Sequence, residues 1–270
     1  MTDGTHPPLN GQHATVQRPD GAPGADRANT LSPSLSWPTS NTASYEVKFL
    51  VRPLQAERVR EWARQHLAVD PHADSSLGDA YRIHSVYFDT DDFAVFHQAP
   101  SYQRRKFRIR RYGSEETVYL ERKTKSGDRV RKRRTEVAAD ELFRLRSPMA
   151  DALWPADWFH RNLLARRLRP RCVIAYERIA YVGTNPDGPM RLTLDREIHC
   201  ALTDGYLVRA ATAEMPLLPE ALILELKFRS AMPPLFKDLV AEMALSPGCI
   251  SKYRMGIAAW GLAGTAKEVG

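Results

Sequence analysis

From Tyr45 onward, hydrophobic and polar residues alternate with a period of two over most of the chain, the signature of strands whose successive side chains point to opposite faces. The pattern predicts strands at Tyr45–Val51, Tyr81–Asp89, Arg104–Tyr112, Thr117–Lys125, Arg129–Val137, Arg171–Val182, Met190–Cys200, Tyr206–Ala211 and Ala221–Phe228. Three stretches switch to helical spacing. Pro53 suits a first turn, and Leu54, Val59, Trp62, Ala63 and Leu67 follow it up to Ala68. Leu235, Phe236, Leu239, Val240 and Met243 form a second stripe between Pro233-Pro234 and Ser246-Pro247-Gly248. A third helix is expected over Asp157–Leu168. Residues 1–44 show no such pattern, and their six prolines and four glycines predict a disordered tail. That leaves one domain over 45–262 and a short tail at 263–270.

Sorting each strand by parity puts charge on one face and apolar groups on the other. Lys106, Arg108, Arg110 and Tyr112 share a face against Phe107 and Ile109; Tyr119, Glu121, Lys123 and Lys125 oppose Val118, Leu120 and Arg122. Glu46 and Lys48 oppose Val47 and Phe49, Glu225 and Lys227 oppose Leu224 and Leu226, Tyr176 and Arg178 oppose Ala175 and Ile179, and Arg191, Thr193 and Asp195 oppose Leu192 and Leu194. A polar face on a single strand looks at water in any half-exposed antiparallel sheet. Here it recurs in strand after strand, and amphipathic helices need an apolar surface to dock on. If the helices cover the apolar faces from outside, the charged faces point at one another. The expected fold is therefore α+β, a closed antiparallel β-barrel of about eight strands with a polar, basic lumen and helices packed outside. Desolvated cations need partners, so the lumen holds a polyanion or water.

Composition narrows the partner. With 43% hydrophobic and 26% charged residues the chain is ordinary globular material, and its net charge is +7. The excess is local: the window 103–134 carries +10 and the rest −3. Such a patch first suggests any anionic partner, nucleic acid included. No apolar run reaches the ~18 residues of a membrane span, and residues 1–44 lack the basic start and apolar core of a secretory signal. Cys172, Cys200 and Cys249 are odd in number and far apart, which predicts reduced, buried thiols and a cytoplasmic location. P-loop, dinucleotide-binding, zinc-protease and nucleophile-elbow motifs are absent from the sequence. The eight histidines show no ligand spacing, and His84, inside a strand, reads as structural. Glu46, Glu225 and Asp195 bring the opposite sign to the basic faces, and carboxylates beside phosphate-binding cations are the usual holders of Mg²⁺ or Mn²⁺. Arg grips phosphate bidentately and Lys acts as a point charge, so a mixture suits a chain of phosphates.

Tyr45-Glu-Val-Lys48, Ser85-Val-Tyr-Phe-Asp-Thr90, Lys106-Phe-Arg-Ile-Arg-Arg-Tyr112, Tyr119-Leu-Glu-Arg-Lys123, Lys132-Arg-Arg134, Tyr176-Glu-Arg178, Arg191-Leu-Thr-Leu-Asp195, Leu224-Glu-Leu-Lys227 and Ser251-Lys-Tyr253 occur in this order. Each is weak alone; as an ordered set from about Tyr45 to Trp260 they resemble the VTC domain, the polyphosphate polymerase branch of the CYTH-like triphosphate tunnel metalloenzymes. The resemblance implies a tunnel that binds ATP and metal and passes the γ-phosphate to a growing polyphosphate chain. It assigns Lys48, Arg108, Arg110, Lys123, Arg178 and Arg191 to the phosphates, with Lys132 and Arg134 joining them where the Arg131–Arg134 register allows two settings. Tyr176, Lys227, Ser251 and Lys252 complete the phosphate shell. Glu225 becomes the main metal ligand, for Mn²⁺ or Mg²⁺, with Glu46 as helper. The chain departs from the family at Cys249, where some members carry a lysine. It also lacks the amino-terminal phosphate-sensing helical module of the larger eukaryotic complexes, which points to a bacterial, free-standing domain and leaves a membrane partner open. Two rivals remain: a triphosphate hydrolase using the same tunnel with water as acceptor, and a non-catalytic polyanion or nucleic-acid binding module. Acids set among basic residues on matching faces disfavour the second, since a flat nucleic-acid platform would exclude them.

Overall fold

The computed structural model describes residues 1, 43–102, 104–127, 129–208 and 214–262. In chain order it contains β1 (Ser44–Val51), α1 (Pro53–His66), β2 (Ala68–Val69), β3 (Ala80–Asp89), β4 (Arg105–Tyr112), β5 (Thr117–Ser126), β6 (Arg129–Ala138), α2 (Asp157–Ala165), β7 (Arg169–Asn185), β8 (Gly188–Leu202), β9 (Met215–Leu217), β10 (Leu222–Phe228), α3 (Pro234–Glu242) and α4 (Lys252–Ala259). The strands pair antiparallel in the order β7-β3-β4-β5-β6-β1-β10-β8, and β8 pairs back onto β7, closing a barrel of eight. Short β2 and β9 extend β7 and β8. The α+β barrel expected from the alternation is the one found.

Closure sorts the residues as their parity predicts. Outside, one apolar cluster packs Phe49, Leu192, Leu194, Leu224 and Leu226 under Val59 and Trp62 of α1 and Phe236 and Leu239 of α3. A second packs Val86, Phe88, Phe107, Ile109, Val118 and Leu120 against Trp158 and Phe159 of α2 and Tyr253 and Ile257 of α4. Both groups lie almost wholly out of solvent, so apolar burial stabilises the outer wall and leaves the inner one polar. His84 belongs to this outer side, where burial pushes its imidazole below the ordinary value.

Differences from the sequence reading have local causes. α1 ends at His66 and not Ala68, because Leu67 turns extended and the chain goes straight into β2. α2 stops at Ala165, short of Leu168, because Arg167 takes a left-handed φ of 52° and ends the helix. β7 and β8 run beyond their predicted ends to meet at Asn185↔Gly188, where Gly188 adopts φ 121°. β2 and β9, with 2 and 3 residues, are too short to display a period. α4 was not foreseen; Ser251 caps it by accepting a hydrogen bond from the Arg254 amide at 3.3 Å. The strand expected at Tyr206–Ala211 is corrected: Tyr206–Val208 has no regular structure, and 209–211 lie outside the described residues, as do 2–42 of the expected tail and 263–270. Ser44 already belongs to β1. Cys172 and Cys200 are buried as expected; Cys249 is exposed, because it sits in the loop before α4 and not in a core.

Candidate active site

Adjacent strands present matched residues across the ladder, so parity and register together build the lumen. On the β4–β5–β6 wall, Arg108 lies opposite Glu121, and Glu121 opposite Arg134. Glu121 is fully buried and accepts from Arg108 Nε and Arg134 Nε at 2.6 Å each, with Lys132 Nζ 3.6 Å away. Burial pushes the Glu121 carboxyl up, but Arg108, Lys132 and Arg134 more than offset it and hold it well below the usual range. Arg108 also donates to Tyr87 Oη at 3.1 Å and Arg134 to Tyr112 Oη at 2.8 Å. The register ambiguity is thereby resolved: Lys132 and Arg134 face the lumen, while Arg133 lies over the ring of Trp158 outside.

A second buried acid anchors the opposite wall. Asp195 accepts from Arg178 Nε and Nη2 at 2.6 and 2.8 Å and from the Lys252 ammonium, which also sits 4.5 Å over the Tyr176 ring. Despite burial, Arg178 and Lys252 bring the Asp195 carboxyl down to about 2. Arg191 donates to Tyr81 Oη at 2.7 Å and pairs with Asp70 at 2.6 Å. Glu121 and Asp195 thus fix cations in place from within the wall.

Between these walls, β1 and β10 carry alternating charges in register, Glu46 beside Lys227 and Lys48 beside Glu225. Lys48 lies 3.3 Å from Glu225, and Lys123 reaches across from β5 to Glu46. Burial raises the Glu225 carboxyl and Lys48 and Lys123 overcompensate, so it is held well below the usual range; Glu46 is lowered by Lys123 and Lys48 against burial and Glu225. Thr193, opposite Glu225 on β8, has a buried Oγ1 with no hydrogen-bond partner. Two ionised carboxylates and an orphaned hydroxyl facing a cavity supply hard oxygen donors, a set that fits Mg²⁺ or Mn²⁺ once phosphate oxygens add theirs. Among the described residues no group of three acidic, histidine or cysteine side chains forms a metal site by itself. Asp195, counted among the acids in the sequence, is committed to Arg178 and Lys252.

Among the described residues, Lys106 and Arg110 in the lumen have no carboxylate partner. Lys106 Nζ donates to Ser251 Oγ at 2.8 Å, and Arg110 donates to Ser85 Oγ and Tyr176 Oη at 3.1 Å each. Burial, with Lys48 and Lys123 nearby, pushes the Lys106 amine well below its ordinary value. Burial likewise lowers Lys227 to about 7 and Lys132 and Lys252 to about 8. All of these groups except the fully enclosed Glu121, Asp195 and Ser85 line one continuous cavity of about 1330 Å³.

Lys48, Arg108, Arg110, Lys123, Lys132, Arg134, Tyr176, Arg178, Arg191, Glu225, Lys227, Ser251, Lys252 and Glu46, all selected from the sequence, border this single space. Reading the sequence gave Glu121 and Lys106 a face and no role. The signal was available, since Glu121 stands on the face of Lys123 within Tyr119–Lys123 and is surrounded by cations at matching parity. Asp89, inside a quoted motif, is structural: it accepts from the amides of Thr90, Val95 and Phe96 and from Tyr253 Oη, tying the 90–98 loop to α4.

A family model described as the VTC domain matches residues 43–261. No curated protein matches. Among solved structures, a candidate adenylate cyclase of Bacillus halodurans is similar at 16% identity and TM-score 0.48, covering 78% of this chain and 95% of that one. A candidate adenylyl cyclase of Hippeastrum, described as having a dominant triphosphatase activity, is similar at 11% identity and TM-score 0.48, covering 80% and 95%. A Pyrococcus horikoshii protein is similar at 12% identity and TM-score 0.44, covering 80% and 99%.

Proposed function

Since the chain belongs to the VTC domain family, we propose that it is a polyphosphate polymerase, transferring the γ-phosphate of ATP to the end of an inorganic polyphosphate chain inside the tunnel. The observation that carries this reading is the unequal pairing of the lumen cations. Glu121 and Asp195 hold Arg108, Arg134, Arg178 and Lys252 in fixed orientations, while Lys106 and Arg110 face the cavity with no carboxylate partner among the described residues. A row of preorganised cations with unmet charge is complementary to a row of phosphates.

In that tunnel Arg108, Arg110, Arg178 and Arg191 grip phosphate oxygens bidentately, and Lys48, Lys106, Lys123 and Lys252 supply point charges between them. Their alignment brings a terminal oxygen of the chain in line with the γ-phosphorus. A new P–O bond forms there as the bond to the β,γ-bridging oxygen breaks, and ADP departs. Because the nucleophile is an ionised phosphate oxygen, no side-chain base is needed, and positioning with charge neutralisation supplies the rate. Glu225 and Glu46, with Thr193 beside them, would hold the divalent cation, which offsets charge on the phosphates when bound.

Incubation of the protein with ATP and Mn²⁺ or Mg²⁺, followed by gel separation, tests the reading. A ladder of chains is expected; free phosphate alone would make the protein a triphosphatase of the same fold. Glu225→Gln should abolish metal-dependent turnover of ATP in a folded protein, and retained turnover would remove Glu225 from the site.

A further inference from the structure

The strands that furnish the lumen carry a second set of cations outside. Arg122 and Arg133 stand directly opposite each other on β5 and β6, a like-charge cross-strand pair that costs stability when nothing neutralises it. Their guanidinium carbons lie 5.9 and 4.3 Å from the centre of the Trp158 ring. The ring is fixed because its Nε1 donates to Thr135 Oγ1 at 2.8 Å. Arg166, just past the end of α2, adds a third positive charge close enough, with Arg105 and Arg133, to lower the Arg122 guanidinium beyond what burial does. Among the described residues none of Arg122, Arg133 and Arg166 pairs with a carboxylate, and the buried Nε of Arg122 has no hydrogen-bond partner. Asp157, next to Trp158 in the sequence, is engaged with Arg161.

We propose that Arg122 and Arg133, held over Trp158, form a second phosphate-chain site on the outer face of the barrel, where polyphosphate outside the tunnel is bound. The assignment rests on the polymerase reading. Arg104, Arg105, Arg122 and Arg133 belong to the wall of the same cavity as the lumen residues Lys106 and Lys125, so a concave surface leads from one cation set to the other. Guanidinium forks aimed at an anion without a local acid favour phosphate oxygens. A nucleic acid would also seek an aromatic face for its bases, but Trp158 is only 6% exposed and lies beneath Arg133. With the ring covered, the face offers charge and no stacking platform, which favours a polyanion without bases.

The test compares the full chain with its Arg122→Gln, Arg133→Gln double variant, titrating each with tripolyphosphate and with long-chain inorganic polyphosphate over a series of salt concentrations. Tripolyphosphate, short enough for the tunnel, should bind both equally and so confirms a folded lumen. Long-chain affinity should fall about tenfold, with a shallower salt dependence. The Arg122→Lys, Arg133→Lys variant, which keeps the charge, should retain most of the affinity. Unchanged long-chain binding in the Gln variant overturns the site, as does an equal loss for both ligands. Loss of single-stranded DNA binding with polyphosphate binding intact overturns it in favour of a nucleic-acid surface. If the wild type makes no chains from ATP yet binds long polyphosphate more tightly than the variant, the polymerase reading fails and the outer site stands.

Discussion

Arg108 on β4 and Arg134 on β6 point into the barrel, whereas Arg122 on β5 and Arg133 on β6, the residue before Arg134, point out of it. The inner pair converges on a fully buried Glu121. The outer pair faces itself across a tryptophan with no acid. Burial explains the difference. A desolvated guanidinium needs a counter-charge to exist in the wall, whereas Arg133 is exposed and screened by water, and half-buried Arg122 beside it has no acid among the described residues, a place open to a ligand. The inner carboxylate is therefore a structural part that happens to orient a phosphate site, and the outer arginines rest on a tryptophan ring in place of a counter-charge.

Removing the inner anchor should have the largest effect. Glu121→Gln leaves Arg108, Arg134 and Lys132 without their carboxylate and should cost about 3–5 kcal/mol of stability, read as a lower denaturant midpoint at unchanged slope. A variant as stable as wild type would mean that the three cations are solvated from the lumen and that the comparison with the outer face does not hold.

A lumen cation without an acid should behave oppositely. Lys106→Met removes a charge that burial already disfavours, so stability should stay level or rise, while tripolyphosphate affinity falls by about 1.5–3 kcal/mol, the range for a charge-assisted hydrogen bond. Calorimetric titration and thermal unfolding on the same sample separate the two outcomes, and parallel losses of stability and affinity would make Lys106 a structural residue.

Proton linkage distinguishes the two faces again. Lys227 near 7 and Lys132 and Lys252 near 8 lie below the lysine value of 10.5, so the unfolded chain binds more protons than the folded one between these limits. Stability of the empty protein should therefore rise with pH from about 7 toward 10.5. A bound phosphate chain recharges these amines, so tripolyphosphate binding at pH 8 should take up about two protons, seen as a dependence of binding enthalpy on the buffer's ionisation enthalpy. Proton-neutral binding would indicate that the amines are already charged in the empty tunnel.

Most of this architecture was legible because parity is a local property. Glu46, Lys48, Arg108, Arg110, Glu225 and Lys227 could be placed on one face from spacing alone, and closure of the barrel gathered them. Register was less accessible, since nothing in Arg131–Arg134 says which arginine faces in until Glu121 selects Arg134 and Trp158 takes Arg133. Hence Glu121, whose importance lies in its cationic neighbours on the two flanking strands, looked like one acid among many bases. α4 was missed because its packing depends on few residues, among them Tyr253, whose hydroxyl reaches Asp89 on β3 across 164 positions of sequence. Cys249 was misplaced for a related reason: composition speaks of a residue type's habits and not of its loop.

The smallest expected effect is the most direct check on the outer face. Arg122→Gln removes one member of a like-charge cross-strand pair and leaves no acid stranded, so it should raise stability slightly, by about 0.2–1 kcal/mol at low salt, with the gain shrinking as salt screens the wild-type repulsion. Destabilisation would mean that packing of the Arg122 stem near Trp158 outweighs its charge, and the outer arginines would then belong to the fold as Glu121 does. A salt-sensitive gain keeps them apart from it, as charges held at the surface for an anion that the fold does not supply.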